Sequence, residues 1–224
     1  MTDDVSRETA VLQDHYAGFP VLAGYAEILA TDGVERGLIG PREVDRIWPR
    51  HLANCAVVAL DPIVGIPPGC EVVDVGSGAG LPGVVWTVVR PDLSVTLVEP
   101  LLRRSTFLTE VVSRLGLSDR VTVIRARAED VGQHFDVVTA RAVAPLDRLC
   151  QWTLPLCRVG GKLVAMKGTG AAGELAQAAP VIARLGGGRA SVLSVGDSDR
   201  GTATVVTVSR EVSGQARRRV RGAH

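Results

Sequence analysis

An α/β fold built on a mostly parallel sheet is predicted by three features of this sequence. Short β-rich runs alternate with helix-length intervals from residue 72 onward, a glycine-rich turn follows the first of those runs, and the stretch before them carries helical periodicity alone. With 224 residues, 46% of them hydrophobic, the chain can bury a core of ordinary domain size without covalent staples.

The elements follow in order. From about residue 8 to 60, apolar positions such as Val11, Tyr16, Leu22, Tyr25, Ile28 and Leu29 recur at spacings of three and four, and "GPREVDRIWPRHLANCAVVAL" predicts a later helix bent at Pro49. The breaker-rich "DPIVGIPPGC", Asp61 to Cys70, is a connector. It divides a helical extension, residues 1–62, from an α/β domain over residues 63–210, and residues 211–224 form a basic tail expected to be disordered. Seven strands are predicted in the α/β part: Val72–Val75, Val95–Glu99, Val121–Ile124, Asp136–Thr139, Lys162–Met166, Ser191–Val195 and Thr202–Val208. Helices are expected over Val84–Arg90, Leu101–Leu115, Pro145–Cys157 and Ala171–Leu185, with a short link around Ala128–Gln133. Parallel sheets of this kind bind ligands at the carboxyl ends of their strands, where the glycine-rich turn lies.

Composition removes several classes. The four cysteines (Cys55, Cys70, Cys150, Cys157) form no C-x-x-C pair and have no histidine at metal-like spacing, so free thiols are expected, with no disulfide framework and no metal site. The acidic, polar N-terminus is unlike a signal peptide, and no run approaches the ~18 apolar residues of a membrane span, so a soluble cytoplasmic protein is expected. Charge is lopsided: residues 1–62 carry 5 arginines against 10 acidic side chains, while the whole chain is +1, so the remainder is basic. Only Lys162 and Lys167 are lysines, a bias that reads as GC-rich codon usage and weakens any link between arginine and nucleic acid.

The turn "VVDVGSGAGLPGVVW" satisfies G-x-G-x-x-G from Gly78 to Gly83, which alone would admit a dinucleotide. Asp74 argues otherwise, because a carboxylate aimed at the turn repels a pyrophosphate and attracts a cationic ligand. S-adenosylmethionine, with an ammonium, a sulfonium and no phosphate, fits the D-x-G-x-G-x-G arrangement of Asp74, Gly76, Gly78 and Gly80, in which backbone approaches the ligand closely. No G-K-[ST] follows, so a P-loop is excluded. The predicted architecture is therefore a Rossmann-like class I S-adenosylmethionine-dependent methyltransferase. Glu99, ending the second strand, is placed to accept from both ribose hydroxyls. Ala128 and Glu129 fall where an adenine edge and face would lie, although a solvated acid at a helix start is an equal reading of Glu129.

The acceptor is narrowed by what is missing. After the fourth strand the chain reads "TARAVAPL", without the N/D-P-P-Y/F turn used on exocyclic amines, and Cys150 and Cys157, placed in or at the end of a helix, read as packing residues rather than nucleophiles. A nitrogen that is nucleophilic without base catalysis remains, guanine N7 among them, and the enzyme then supplies orientation and electrostatics. Arg141, at the carboxyl end of the fourth strand, is the candidate catalytic residue in that sense, donating to guanine O6 or to the cofactor. Lys167, ending the fifth strand, reads either as an RNA phosphate contact or as a solvated strand end. His51 is expected to be a helix-packing hydrogen-bonder, and Arg103 and Arg104 to snorkel from a helix whose other side is core. In the tail, Arg217, Arg218, Arg219 and Arg221 form either a phosphate-binding arm or an idle solvated terminus.

Taken in order and at their spacings, "VVDVGSGAGLPGV", "VEPLLRRSTFL", "RAEDV", "VVTARAVAPL" and "LVAMKG", with "RIWPRHLANC" upstream, resemble the RsmG (formerly GidB) family over roughly residues 20 to 210. The resemblance implies a bacterial guanine-N7 methyltransferase of 16S ribosomal RNA acting near the decoding site, with S-adenosyl-L-methionine as donor and S-adenosyl-L-homocysteine as product. It implies cofactor contacts at Gly76, Leu81, Ala128, Glu129 and Arg141, and as partner 16S rRNA or the small subunit in an assembly intermediate, met by a monomer. Glu99 and Arg103-Arg104 stand where the family often has an aspartate and a lysine-arginine pair. Other readings stay open at this point: a nucleotide-linked oxidoreductase, a small-molecule methyltransferase, and a non-catalytic RNA binder of ribosome assembly.

Overall fold

A computed structural model describes residues 2–212; the arginine-rich segment with Arg217, Arg218, Arg219 and Arg221 lies outside the described residues. Seven strands form one sheet in the order β3-β2-β1-β4-β5-β7-β6. They are β1 (Glu71–Val75), β2 (Ser94–Val98), β3 (Val121–Ile124), β4 (Phe135–Arg141), β5 (Cys157–Lys167), β6 (Gly187–Asp197) and β7 (Gly201–Arg210). The first five are parallel to one another, and β7 enters antiparallel between β5 and β6.

Helices cover both faces. The extension supplies α1 (Thr2–His15), α2 (Pro20–Ala30), the short α3 (Asp32–Glu35) and α4 (Ala53–Leu60); the rest are α5 (Gly83–Val89), α6 (Leu102–Arg114), α7 (Leu146–Thr153) and α8 (Ala171–Arg184). Alternation along the strands divides the core in two. Val72, Leu97, Val137 and Val164 pack with the extension, α5 and α6, whereas Val73, Val75, Val138 and Leu163 pack with α7 and α8.

The extension is thus continuous with one core face. Buried Trp86 on α5 donates its indole N–H to the Cys55 carbonyl on α4 at 3.0 Å, and Tyr16, at the end of α1, donates its hydroxyl to the Arg200 carbonyl in the β6–β7 turn at 2.7 Å. A buried aromatic whose polar tip is satisfied across elements fixes their mutual placement as well as contributing area.

Several elements depart from the sequence-based expectation. The single helix predicted around Pro49 is a 3₁₀ turn over Pro41–Arg46, a π turn over Ile47–Leu52, and only then α4. Pro49 lacks an N–H and crowds the preceding turn, and the wider π turn accommodates it. The helix expected to reach Cys157 ends at Thr153, followed by a 3₁₀ turn at Leu154–Leu156 that holds Pro155. Cys157 is therefore the first residue of β5, and of these two cysteines only Cys150 is helical. Among the described residues, no helix is long and apolar enough to cross a membrane.

Candidate functional site

The turn between β1 and α5 is pinned from below. Gly76 and Ser77 donate their N–H groups to the Val98 carbonyl at the end of β2 (2.8 and 3.2 Å), Gly80 and Leu81 donate to the Ser77 carbonyl (2.7 and 3.2 Å), and Tyr25 on α2 donates its hydroxyl to the Ala79 carbonyl at 2.7 Å. Gly76 has a φ of 70°, and a Cβ there would lie 2.9 Å from Val143 in the β4–α7 loop. Gly80, at φ 101°, leaves no room either, since a Cβ would stand 2.7 Å from Val84 and 2.8 Å from the Tyr25 hydroxyl. Only glycine tolerates both the conformation and the contact.

Two carboxylates complete the turn in different ways. Glu99 is almost fully buried at the mouth of the sheet, its Oε2 accepting from Gly78 N–H at 3.1 Å and its Oε1 from Leu101 N–H at 3.0 Å. Each oxygen keeps a second lone pair for a ligand. Asp74 is fully buried beneath the turn, and its Oδ2 accepts from Gly83 N–H at 3.0 Å while its Oδ1 has no hydrogen-bond partner. Burial pushes the Asp74 carboxyl up to about 7, against the lowering pull of the Gly83 amide and the Arg141 charge. Asp74, expected from the sequence to face the ligand, is turned by strand alternation toward α5, where it holds the turn from behind, and it is not among the residues that line the cleft.

The turn presents acceptors to the cleft. The cleft has a volume of about 560 Å³, and Gly76, Ser77, Gly78, Leu81, Glu99 and Arg141 line it together with Leu38, Ile39 and His51 from the extension. The N–H groups of Gly76, Ser77, Gly78, Gly80, Leu81 and Gly83 are all bonded within the protein, whereas the carbonyls of half-exposed Gly76 and Gly78 accept nothing among the described residues. A pyrophosphate needs free N–H donors at such a turn. A ligand with a cationic end and a ribose finds acceptors for both, in the free carbonyls and in Glu99, so the residues present fit S-adenosylmethionine better than a dinucleotide.

The structure brings together only some of the expected contacts. Gly80 is buried under the turn rather than lining the cleft. Ala128 and Glu129, on a 3₁₀ turn after β3, line a separate hollow of about 310 Å³ with Gln133, His134 and Trp152. Arg103 and Arg104 part company: Arg103 is exposed, and Arg104 lines the cleft with Nη1 3.9 Å from Glu99 Oε2. Lys167, read from the sequence as an RNA phosphate contact or a solvated strand end, is partnered within the protein. Its ammonium, with the side chain 9% exposed, donates to the Ala144 carbonyl at 2.9 Å and pairs with Glu174 at 2.6 Å, tying the β4–α7 loop to α8. Burial raises the Cys150 and Cys157 thiols to about 12, which removes them as nucleophiles at neutral pH.

Arg141 ends β4 and stands at a seam. It lines the cleft and also a neighbouring groove of about 720 Å³ whose walls include Arg50, Asn54, Thr169, Ser194 and Thr204, and Ala142 is the other residue the two spaces share. Ala142 has a φ of 55°, the one left-handed non-glycine among the described residues, a strained conformation of the kind that gathers at functional sites. A hollow between α1 and residues 42–48, lined by Thr9 and Trp48, lies away from the strand ends and holds none of these groups. Sequence reasoning missed the cleft-lining role of Leu38, Ile39, Val143 and Asn54's groove. The signal available was the "RIWPRHLANC" segment, but nothing in it named its partner on β4.

Comparisons with known proteins point to a family and a fold. Residues 19–202 match the family model GidB, rRNA small subunit methyltransferase G. The chain is 54% identical over 216 residues to the ribosomal RNA small subunit methyltransferase G of a Nocardioides species, covering 93% of this chain and 84% of that protein. It is 56% identical over 196 residues to the protein of the same name from Salinispora tropica, covering 84% and 79%. Among solved structures it is similar to the cofactor-bound protein Rv0187 from MTB (TM-score 0.55, 19% identity, 86% of this chain and 91% of that one). It is also similar to an S-adenosylmethionine-dependent O-methyltransferase from Thermotoga maritima (TM-score 0.54, 16% identity, 70% and 64%). At such identities these structures speak to the fold alone.

Proposed function

The chain belongs to the GidB family of small-subunit rRNA methyltransferases, and from that premise we propose that it methylates N7 of a guanine in 16S ribosomal RNA near the decoding site. It is an S-adenosylmethionine-dependent enzyme of the Rossmann-like α/β class. The observation that carries the reading is the meeting of two spaces at Arg141: a cleft that offers the Gly76 and Gly78 carbonyls and the Glu99 carboxylate as acceptors, and a groove with exposed Arg50 at its rim.

When bound, the donor supplies an electrophilic methyl on a sulfonium. The Gly76 and Gly78 carbonyls would accept from its ammonium and Glu99 from its ribose, while Asp74 keeps the turn in place through Gly83. The groove receives the base. Guanine N7 carries a lone pair and no proton, so no side chain has to remove one, and the work left to the protein is alignment of N7 with the methyl carbon. Arg141 holds a donor toward guanine O6 and leaves N7 free. Exposed Arg50 at the groove rim meets the RNA backbone. The protein acts as a cytoplasmic monomer on the small subunit or an assembly intermediate of it.

Labelled methyl transfer to purified small subunits, followed by nucleoside mass spectrometry, tests this. 7-Methylguanosine in 16S rRNA is the expected product. Label appearing only in a metabolite pool, with none in RNA, overturns it in favour of a small-molecule methyltransferase.

A further inference from the structure

A guanidinium has five N–H donors in a rigid fork, and the extension takes three of those on Arg141. Nη2 donates to the Arg50 carbonyl at 2.9 Å and meets His51 Nδ1 at 2.7 Å, and Nη1 donates to Cys55 Sγ at 3.3 Å. All three partners lie on the π turn and α4, with His51 90 positions before Arg141 in the chain. Nε–H and one Nη1 proton remain for ligands at the seam.

The imidazole accepts from the guanidinium only if Nδ1 carries a lone pair, which puts the ring proton on Nε2. Nε2 lies 3.4 Å from Glu43 Oε2 on the 3₁₀ turn, close but not aligned as a hydrogen bond. The charged groups facing His51 are thus Glu43 from that turn, Arg50 beside it and Arg141 from β4. Burial first, and then the Arg141 charge, hold the imidazole down to about 4, so it is neutral throughout the physiological range.

We propose that His51, with the Glu43 carboxylate beside its Nε2, is a positioning residue for Arg141: the extension supplies the acceptors that fix the plane of the guanidinium aligning the acceptor base. This rests on the methyl-transfer reading above. It also gives the extension a task beyond packing, since without it Arg141 loses the partners that hold its fork still. A misplacement of about 1 Å at an aligning group can cost on the order of 100-fold in rate.

The test is a cycle on the full chain, measured as single-turnover methyl transfer to purified small subunits with donor affinity followed by calorimetry. His51→Leu keeps bulk and removes the acceptor; the expected result is a rate lowered ~10- to 100-fold with donor affinity changed only a few-fold. His51→Asn, whose amide oxygen can occupy the place of Nδ1, should recover most of that loss. In an Arg141→Ala background His51→Leu should cost nothing further. If His51→Leu does not melt cooperatively, Glu43→Gln carries the same cycle, with a few-fold loss expected that vanishes when Arg141 is absent. Additive losses, or His51→Asn as damaging as His51→Leu, overturn the positioning role. A wild-type chain that labels no RNA overturns the functional reading instead.

Discussion

Asp74→Asn separates the buried role of this carboxyl from a role in ligand contact. The amide keeps an oxygen for Gly83 N–H and cannot ionise. In the fold the carboxyl titrates at about 7 rather than 3.8, because burial penalises its charged form. Below 3.8 the folded and unfolded chains both hold the proton and the group is neutral toward stability. Between 3.8 and about 7 the unfolded chain releases it while the folded chain keeps it, so stability falls as pH rises, and above 7 the deficit is constant. At about 1.4 kcal/mol per pH unit, that deficit is on the order of 4 kcal/mol. The stability difference between Asp74→Asn and wild type should therefore shift in the variant's favour by that order between pH 4 and pH 8. His51, lowered to about 4, contributes stability that is lost as pH falls from 6.5 through 4, but both proteins share it and it cancels in the difference. Urea melts followed by tryptophan fluorescence at each pH measure the gap. A gap that stays constant across this range would refute the argument, since the carboxyl would then ionise in the fold as it does in the unfolded chain.

Four further outcomes are expected. Arg141→Ala removes the group shared by cleft and groove and should lower methyl transfer ~100-fold or more while small-subunit binding, read by filter retention, changes only a few-fold. Glu99→Gln puts an amide donor against Gly78 or Leu101 N–H and weakens the ribose acceptor; a loss of about 1.5–3 kcal/mol predicts donor affinity at least tenfold weaker by calorimetry. Gly80→Ala forces a Cβ to within 2.8 Å of the Tyr25 hydroxyl at a φ of 101°, and should cost about 1–3 kcal/mol in a chemical melt. Lys167→Ala, if the lysine is internal as its pairing with Glu174 and Ala144 requires, should destabilise the fold by about 1–3 kcal/mol yet leave the salt dependence of RNA binding unchanged; a flatter slope would restore it as a phosphate contact.

The strands were legible because each is a local run of β-branched residues. β3 coincides with its predicted limits, and β1 gains only Glu71. The ends of β4 to β7 run further than predicted, since cross-strand bonding extends pairing into positions whose own propensity is weak. Gly196 in β6 is such a position, paired with Thr202 of β7. Of the site, the glycine turn and Glu99 were legible because close backbone approach and a carboxylate at a strand end leave local marks. Side-chain direction was not. In a sheet covered on both faces, alternation says that Asp74 points opposite to Val73 without saying which face holds the cleft.

By itself, then, the sequence determined the class of fold, the turn that holds a ligand and the kind of ligand, all of which depend on residues within one strand-turn-helix unit. Only the tertiary structure decided that Asp74 works from beneath the turn, that Lys167 is committed to Glu174, and that Arg141 is gripped by His51, Arg50 and Cys55 from the extension. Such contacts join positions as much as 91 residues apart. They are set by which faces pack together when the core forms, and no short-range pattern of residues encodes that choice.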